Sequence, residues 1–134
     1  MTADGLTTVR SSFGAEETKR RFEAALKAKG LTIFAEIDHA AGAAAVGLSL
    51  RPTTVIIFGN AKGGTPLMQA GQTAGIDLPL KALVYEDASG ATWLSYNDPA
   101  WIGRRHGLLA EANPAIDAMS NLLGALATTA AKGP

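Results

Sequence analysis

KALVYEDASGATWLSYNDP, residues 81–99, is the stretch whose reading decides the fold. Two runs rich in β-branched and aromatic residues, 81–87 and 92–97, flank Ser89-Gly90. A glycine turn between two such runs reads as a hairpin, which makes the strands antiparallel neighbours. In the first run Lys81, Leu83, Tyr85 and Asp87 alternate with Ala82, Val84 and Glu86. One face is therefore small and apolar, and Glu86 is a carboxylate on it, either exposed at its rim or placed for a function. Asp98-Pro99 stops the second strand.

Working outward, Thr54-Val55-Ile56-Ile57-Phe58 is continuously apolar and β-branched, the mark of a central strand covered on both faces. Leu31, Ile33, Ala35 and Ile37 alternate with Thr32, Glu36 and Asp38, a half-buried strand; Phe34 breaks the pattern and predicts partial cover of the second face. Residues 6–12 have strand-like Thr and Val content. Gly14 opens a helix that ends at Gly30, with Glu16 and Glu17 in its first turn. Glu16–Arg20, Glu17–Arg21 and Glu23–Lys27 are i,i+4 pairs on its solvated side, and Phe22, Ala25 and Leu26 form its apolar stripe. AAGAAAVG (40–47) predicts a short helix. Thr65-Pro66 predicts another, with Thr at N-cap and Pro at N1, ending at Gly71 or Gly75. After a short helix in AWIGRRHGL (100–108), Asn113-Pro114 starts the terminal helix in the same way. Ile116, Met119, Leu122, Leu123 and Leu126 line its buried face, and residues 128–134 are expected to fray.

This order lacks the βαβα alternation of a doubly wound sheet. It predicts a single α+β domain over residues 1–134: one largely antiparallel five-stranded sheet with two long helices on one face. No repeat or linker divides the chain.

Composition narrows the function classes. Twelve basic and twelve acidic residues balance, so a nucleic-acid or anionic-membrane role has no electrostatic support, and self-association is easier. There is no cysteine, which removes disulfides, thiolate nucleophiles and cysteine metal sites and suits a cytoplasmic location. MTADGLTTVR has no signal-peptide pattern, and no apolar run of about 18 residues could span a membrane.

Polar chemistry concentrates in three loop-ends. In Gly59-Asn60-Ala61-Lys62-Gly63-Gly64-Thr65-Pro66 a glycine-rich turn leads into a helix start. Its backbone N–H groups, with Lys62, could hold a phosphate or carboxylate, or the glycines could simply serve a tight loop that Thr65 caps. It is not a P-loop, because Lys62 precedes the glycines. His39 follows a strand and could serve as general acid/base, or bond only to a neighbouring loop. One histidine among carboxylates makes a poor zinc site, so no metal is expected; His106 would have to meet His39 to change that. Tyr96 and Asn97 are ligand-bonding types at a strand end, although Asn97-Asp98-Pro99 also suits an Asx-type turn. Asp38 and His39 are strand neighbours with diverging side chains, so no Ser-His-Asp arrangement follows from their adjacency.

Taken together, IDHA (37–40), FGNAKGGTPLM (58–68) with DLPLKALVYED (77–87), and SYNDP (95–99) resemble the bacterial and archaeal domain-of-unknown-function family numbered 302, over about residues 11–126. Family members usually carry Asn-Pro where this chain has Asn60-Ala61. The resemblance implies a β-α-β4-α fold, similar in class to half of the TATA-box-binding protein, commonly a homodimer, and no established activity or cofactor. Trp101, Ile102 and the terminal helix are the expected dimer surface.

The leading expectation is a cytoplasmic homodimeric small-molecule or anion-binding module. Its pocket would be built from His39, Asn60, Lys62, Thr65, Tyr96 and Asn97, with Glu86 as a further candidate. The alternatives are an enzyme using His39 as general acid/base with Lys62 as anion clamp, and a structural or protein-interaction domain.

Overall fold

A computed structural model describes residues 3–133. Met1 and Thr2, from the stretch read as lacking a leader, and Pro134, the end of the tail expected to fray, lie outside the described residues. The elements run β1 (Leu6–Arg10), α1 (Ala15–Ala28), β2 (Thr32–Asp38), α2 (His39–Ala45), β3 (Thr53–Gly59), α3 (Ala61–Ala70), a 3-10 segment (Gln72–Asp77), β4 (Leu80–Glu86), β5 (Thr92–Asn97), α4 (Pro99–Arg105), a 3-10 turn (Ala110–Ala112) and α5 (Asn113–Lys132). The five strands form one sheet in the order β1-β5-β4-β3-β2, and every neighbouring pair is antiparallel. This is the α+β architecture read from the sequence.

The hairpin at 81–99 forms as expected, and one carboxylate organises it. Asp87 Oδ1 accepts from Ser89 N at 2.9 Å, Ser89 Oγ at 2.8 Å and Ala91 N at 2.9 Å, and Oδ2 accepts from Trp93 Nε1 at 2.8 Å. These donors, Trp93 first, hold the Asp87 carboxyl far below the usual carboxylate range. Gly90 supplies the turn's positive φ of 86°.

Alternation then sorts the sheet into two faces. Leu80, Ala82 and Val84 of β4, Ile56 and Phe58 of β3 and Leu94 of β5 are buried beneath α1 and α5. Phe22 of α1 meets Phe58 edge-on, ring centroids 5.3 Å apart. At aromatic-pair geometry this contact adds about 0.5–1.5 kcal/mol beyond area burial. The opposite face carries Val55, Leu83, Tyr85, Ser95 and Asn97, and Tyr85 OH and Thr8 Oγ1 both bond Ser95 Oγ, at 3.2 and 2.8 Å.

Four local expectations are corrected. Phe34 does not signal a covered second face: the register shifts between Ile33 and Ala35, and Phe34 stands 55% exposed in a β-bulge. The bulge exchanges the faces, so Ile33 and Glu36 lie on the helix side while Ala35 and Ile37 do not. Of the ion pairs expected on α1 only Glu17–Arg21 forms, at 2.8 Å; Glu17 also pairs with Arg20, and Glu16 pairs with Lys19 at 3.1 Å. The residues from 128 onward do not fray before Lys132. Ala130 and Ala131 are fully buried, and Ser12 N donates to Ala131 O at 2.8 Å, so these turns belong to the core. Finally, α5 begins at Asn113 itself, with Ala112 in the N-cap position.

Candidate functional site

The glycine-rich stretch is helix, not loop. β3 delivers Asn60 in extended conformation (φ −150°, ψ 154°), and α3 begins at the next residue. Asn60 Oδ1 accepts from Gly63 N at 2.6 Å, and Asn60 O accepts from Gly64 N at 3.2 Å. Asn60 is therefore the N-cap, and Thr65, expected in that role, sits inside the helix with Pro66. A Cβ at Gly63 would stand 3.1 Å from Asn60 Oδ1, so a side chain there would press on the cap.

Beside this corner lies an open pocket of about 240 Å³. Leu31, the bulged Phe34, Met68, Leu78, Met119 and Leu122 line it, with Gly59, Ala61 and Gly64 from the β3–α3 junction. The peptide bond between Leu78 and Pro79, which form part of the wall, is cis. Of the seven residues expected to bind a ligand, only Asn60 lines this pocket.

Lys62 and Thr65 follow Asn60 on α3, but His39 and Glu86 lie far away, because successive strands of an antiparallel sheet end at opposite edges. His39 begins α2 just after Asp38, whose partner is Thr54 at the start of β3; Asn60 follows Gly59 at the end of β3. At ~3.3 Å per residue the two are about 20 Å apart along the strand. Glu86, opposite Thr92 and bonded through its N–H to Pro52 O, lies at the His39 edge. Tyr96 and Asn97 end β5 at the Asn60 edge but point to opposite faces: Tyr96 packs against the core, where burial raises its pKa, and Asn97 borders a shallow depression of about 160 Å³ on the open face. The single pocket expected from six residues is not formed. The pairing of His39 with Lys62 as base and anion clamp fails on the same separation. Nor are the expected dimer residues free: Ile102 is fully buried, Trp101 packs over Gly5, and the apolar face of α5 lies in the core.

Two groupings escape the sequence reading. Glu36, turned to the helix side by the bulge, faces Glu23 of α1; desolvation, then the Glu23 carboxyl, raises its pKa against the pull of Lys19 and Lys27. Its only signal is the irregular Phe34. The second is a polar cluster between the 3-10 segment and the end of α4. Asp77 Oδ2 lies 2.5 Å from His106 Nε2, and Arg105 Nη1 donates to both Asp77 oxygens at 2.8 and 2.9 Å. Thr73 Oγ1 is 2.8 Å from His106 Nδ1. These hydrogen bonds hold Asp77 ionised, its pKa lowered despite desolvation. The residues lie 28 to 33 positions apart, and no spacing rule joins them. Among the described residues no group of three or more His, Cys, Asp or Glu side chains is arranged to hold a metal ion.

Residues 7–126 match the family model described as "Domain of unknown function DUF302". The chain belongs to the DUF302 family. The fold is shared with a solved family member, the "uncharacterized conserved protein DUF302 from Bacillus stearothermophilus": TM-score 0.84, 21% identity, covering 97% of this chain and 100% of that one. The chain is also 47% identical over 127 residues to proteins named "Fluoride-specific ion channel FluC 1" from Brucella suis biovar 1 (strain 1330) and Brucella abortus biovar 1 (strain 9-941). The match takes in 95% of this chain but 50% and 47% of theirs, so this DUF302 chain spans about half the length of those relatives. No described helix is long and apolar enough to cross a membrane.

Proposed function

We propose that this DUF302 chain is a small-molecule-binding module whose ligand is an apolar molecule seated at the β3–α3 corner. The observation that carries the reading is the pocket of about 240 Å³, open to solvent and walled by Leu31, Phe34, Met68, Leu78, Met119 and Leu122. Small-ligand sites are concave and mostly apolar, as this pocket is. Two methionines add an adaptable wall. Lys62 and the start of α3 lie at the same corner and would suit an acidic group on the ligand.

The test is titration with the neutral probe N-phenyl-1-naphthylamine, read by its fluorescence. Wild type is expected to bind one probe per chain, and Gly64→Leu, which pushes a side chain among Leu78 and Met68, to lose it without a fall in Tm. Equal binding by both proteins would remove this reading.

We also take the chain to work in the cytoplasm, which the cysteine-free sequence supports, and as a homodimer. With Ile102 and the apolar face of α5 inside the protomer, the dimer surface moves to the open sheet face around Leu6, Val55 and Leu83. A monomer by sedimentation at high concentration would exclude the dimer. A second reading, an interaction role, is favoured by Val46, Leu48 and Leu50, exposed by 72, 66 and 49%. The Brucella relatives give it a direction. Half of each named channel lies beyond the match, and in this reading a DUF302 module accompanies that other half.

A further inference from the structure

Asp77, His106 and Thr73 make a hydrogen-bonded line that runs from the interior to the surface. The side chains of Asp77 and His106 are only 12 and 7% exposed, whereas Thr73 is open to solvent. The Arg105 guanidinium donates to both Asp77 oxygens and fixes the acid as a carboxylate. A carboxylate can only accept, so the ring proton of neutral His106 belongs on Nε2, 2.5 Å away. Nδ1 then carries a lone pair, and the Thr73 hydroxyl at 2.8 Å donates to it. The extension through an oriented imidazole to an exposed hydroxyl is the arrangement of an activated nucleophile: hydroxyl, base within hydrogen-bond reach, and a third group that sets the base's tautomer.

We propose that Thr73 is a nucleophile for acyl transfer from small activated carboxylic esters, with His106 as its general base and Asp77 as the positioning residue. Thr73 Oγ bonds to the ester carbonyl carbon while its proton passes to His106 Nδ1. The tetrahedral intermediate collapses by breaking the bond to the alcohol oxygen, which leaves with the proton returned by His106. Water then attacks the acyl-threonine through the same base, releasing the carboxylic acid and restoring the hydroxyl. No oxidant, reductant or metal enters the balance. Because Thr73 stands at the surface, the fitting substrates are small esters with good leaving groups. This activity is independent of the apolar pocket.

The experiment uses p-nitrophenyl acetate with the full chain. Release of p-nitrophenolate is followed by stopped flow, and the acetylated residue is located by mass spectrometry. An acetyl group on Thr73 is expected, absent in Thr73→Ala and retained in Thr73→Ser. Thr73 is exposed, so Thr73→Ala keeps the wild-type Tm. Asp77→Asn, which removes the preference for the Nε2–H tautomer, is expected to slow acetylation more than about tenfold. Should Asp77→Asn unfold, the Thr73→Ala and Thr73→Ser pair decides alone. No acetyl on Thr73, or the same phenolate release from Thr73→Ala as from wild type, overturns the proposal.

Discussion

Replacing Asn60 by Ala tests the start of α3 against the start that Thr65-Pro66 suggests. Asn60 Oδ1 holds Gly63 N at 2.6 Å, and losing an N-cap of this kind costs roughly 0.5–2 kcal/mol. Leu67 anchors α3 in the core, but the helix is weak by its own sequence. Gly63 and Gly64 each make a helix about 1 kcal/mol poorer than Ala would, and Pro66 withholds one backbone donor. The cost of Asn60→Ala should therefore fall in the upper half of that range, about 1–2 kcal/mol, or a Tm lower by about 3–7 °C for a chain of this length. Thr65→Ala removes a helix-interior residue without a capping bond and should change stability by less than about 0.5 kcal/mol. Asn60→Asp keeps the acceptor, adds a negative charge where the helix dipole favours it, and should stay near wild type. Urea unfolding followed by circular dichroism gives all three midpoints, with an unchanged m-value confirming that stability alone moved. A Thr65→Ala loss as large as that of Asn60→Ala would refute the assignment of the cap and the geometry built on it.

Three further outcomes follow from particular contacts. Glu36, though exposed, has its pKa raised by partial desolvation against α1 and by the Glu23 carboxyl, so the stability it permits is full below its ordinary value of 4.5 and is lost as pH rises through the folded value. Glu36→Gln should match wild type near pH 4 and exceed it at pH 7 in thermal melts. Asp87 has its pKa lowered, so its contribution is present above its ordinary value of 3.8 and is lost as pH falls through the folded value. Asp87→Asn should be less stable than wild type at pH 7, and melts in increasing acid should show the gap narrowing. Gly5→Ala must adopt φ of +76° and meet the Trp101 ring, so a loss of about 2–4 kcal/mol is expected in urea; a loss below 0.5 kcal/mol would show that Trp101 moves freely aside.

The elements legible in the sequence are those governed by local rules. The hairpin at 81–99 declares itself through alternation and Gly90, α1 through its charged and apolar stripes, and the faces of β4 through their period of two. What was not legible depends on one residue or on distant pairing. Pro66 outweighed Asn60 in placing a helix start because proline is common at N1, yet the cap needed only an Asn with an extended backbone and an unencumbered Gly63. The bulge at Phe34 reverses which side of β2 is inside, and alternation cannot register an extra residue. The candidate ligand residues were joined because they gather at polar loop-ends, but loop-ends in an antiparallel sheet lie at two opposite edges. The Thr73–His106–Asp77 line lay outside any motif, since its members come from two irregular segments brought together by α4.

The position of β1 bears on how the molecule assembles. Strands β2 through β5 are neighbours in both sequence and space and can pair in turn as the chain collapses. β1 instead waits for β5, with Leu6 opposite Asn97 and Arg10 opposite Trp93. Ordering β1 requires closing a loop of about 80–90 residues, an entropic cost met only once the hairpin partner exists. The edge of the sheet that bears the first residues of the chain is thus among the last to become native. Until it does, the outer side of β5, with Trp93 and Ser95, is an open template for another strand.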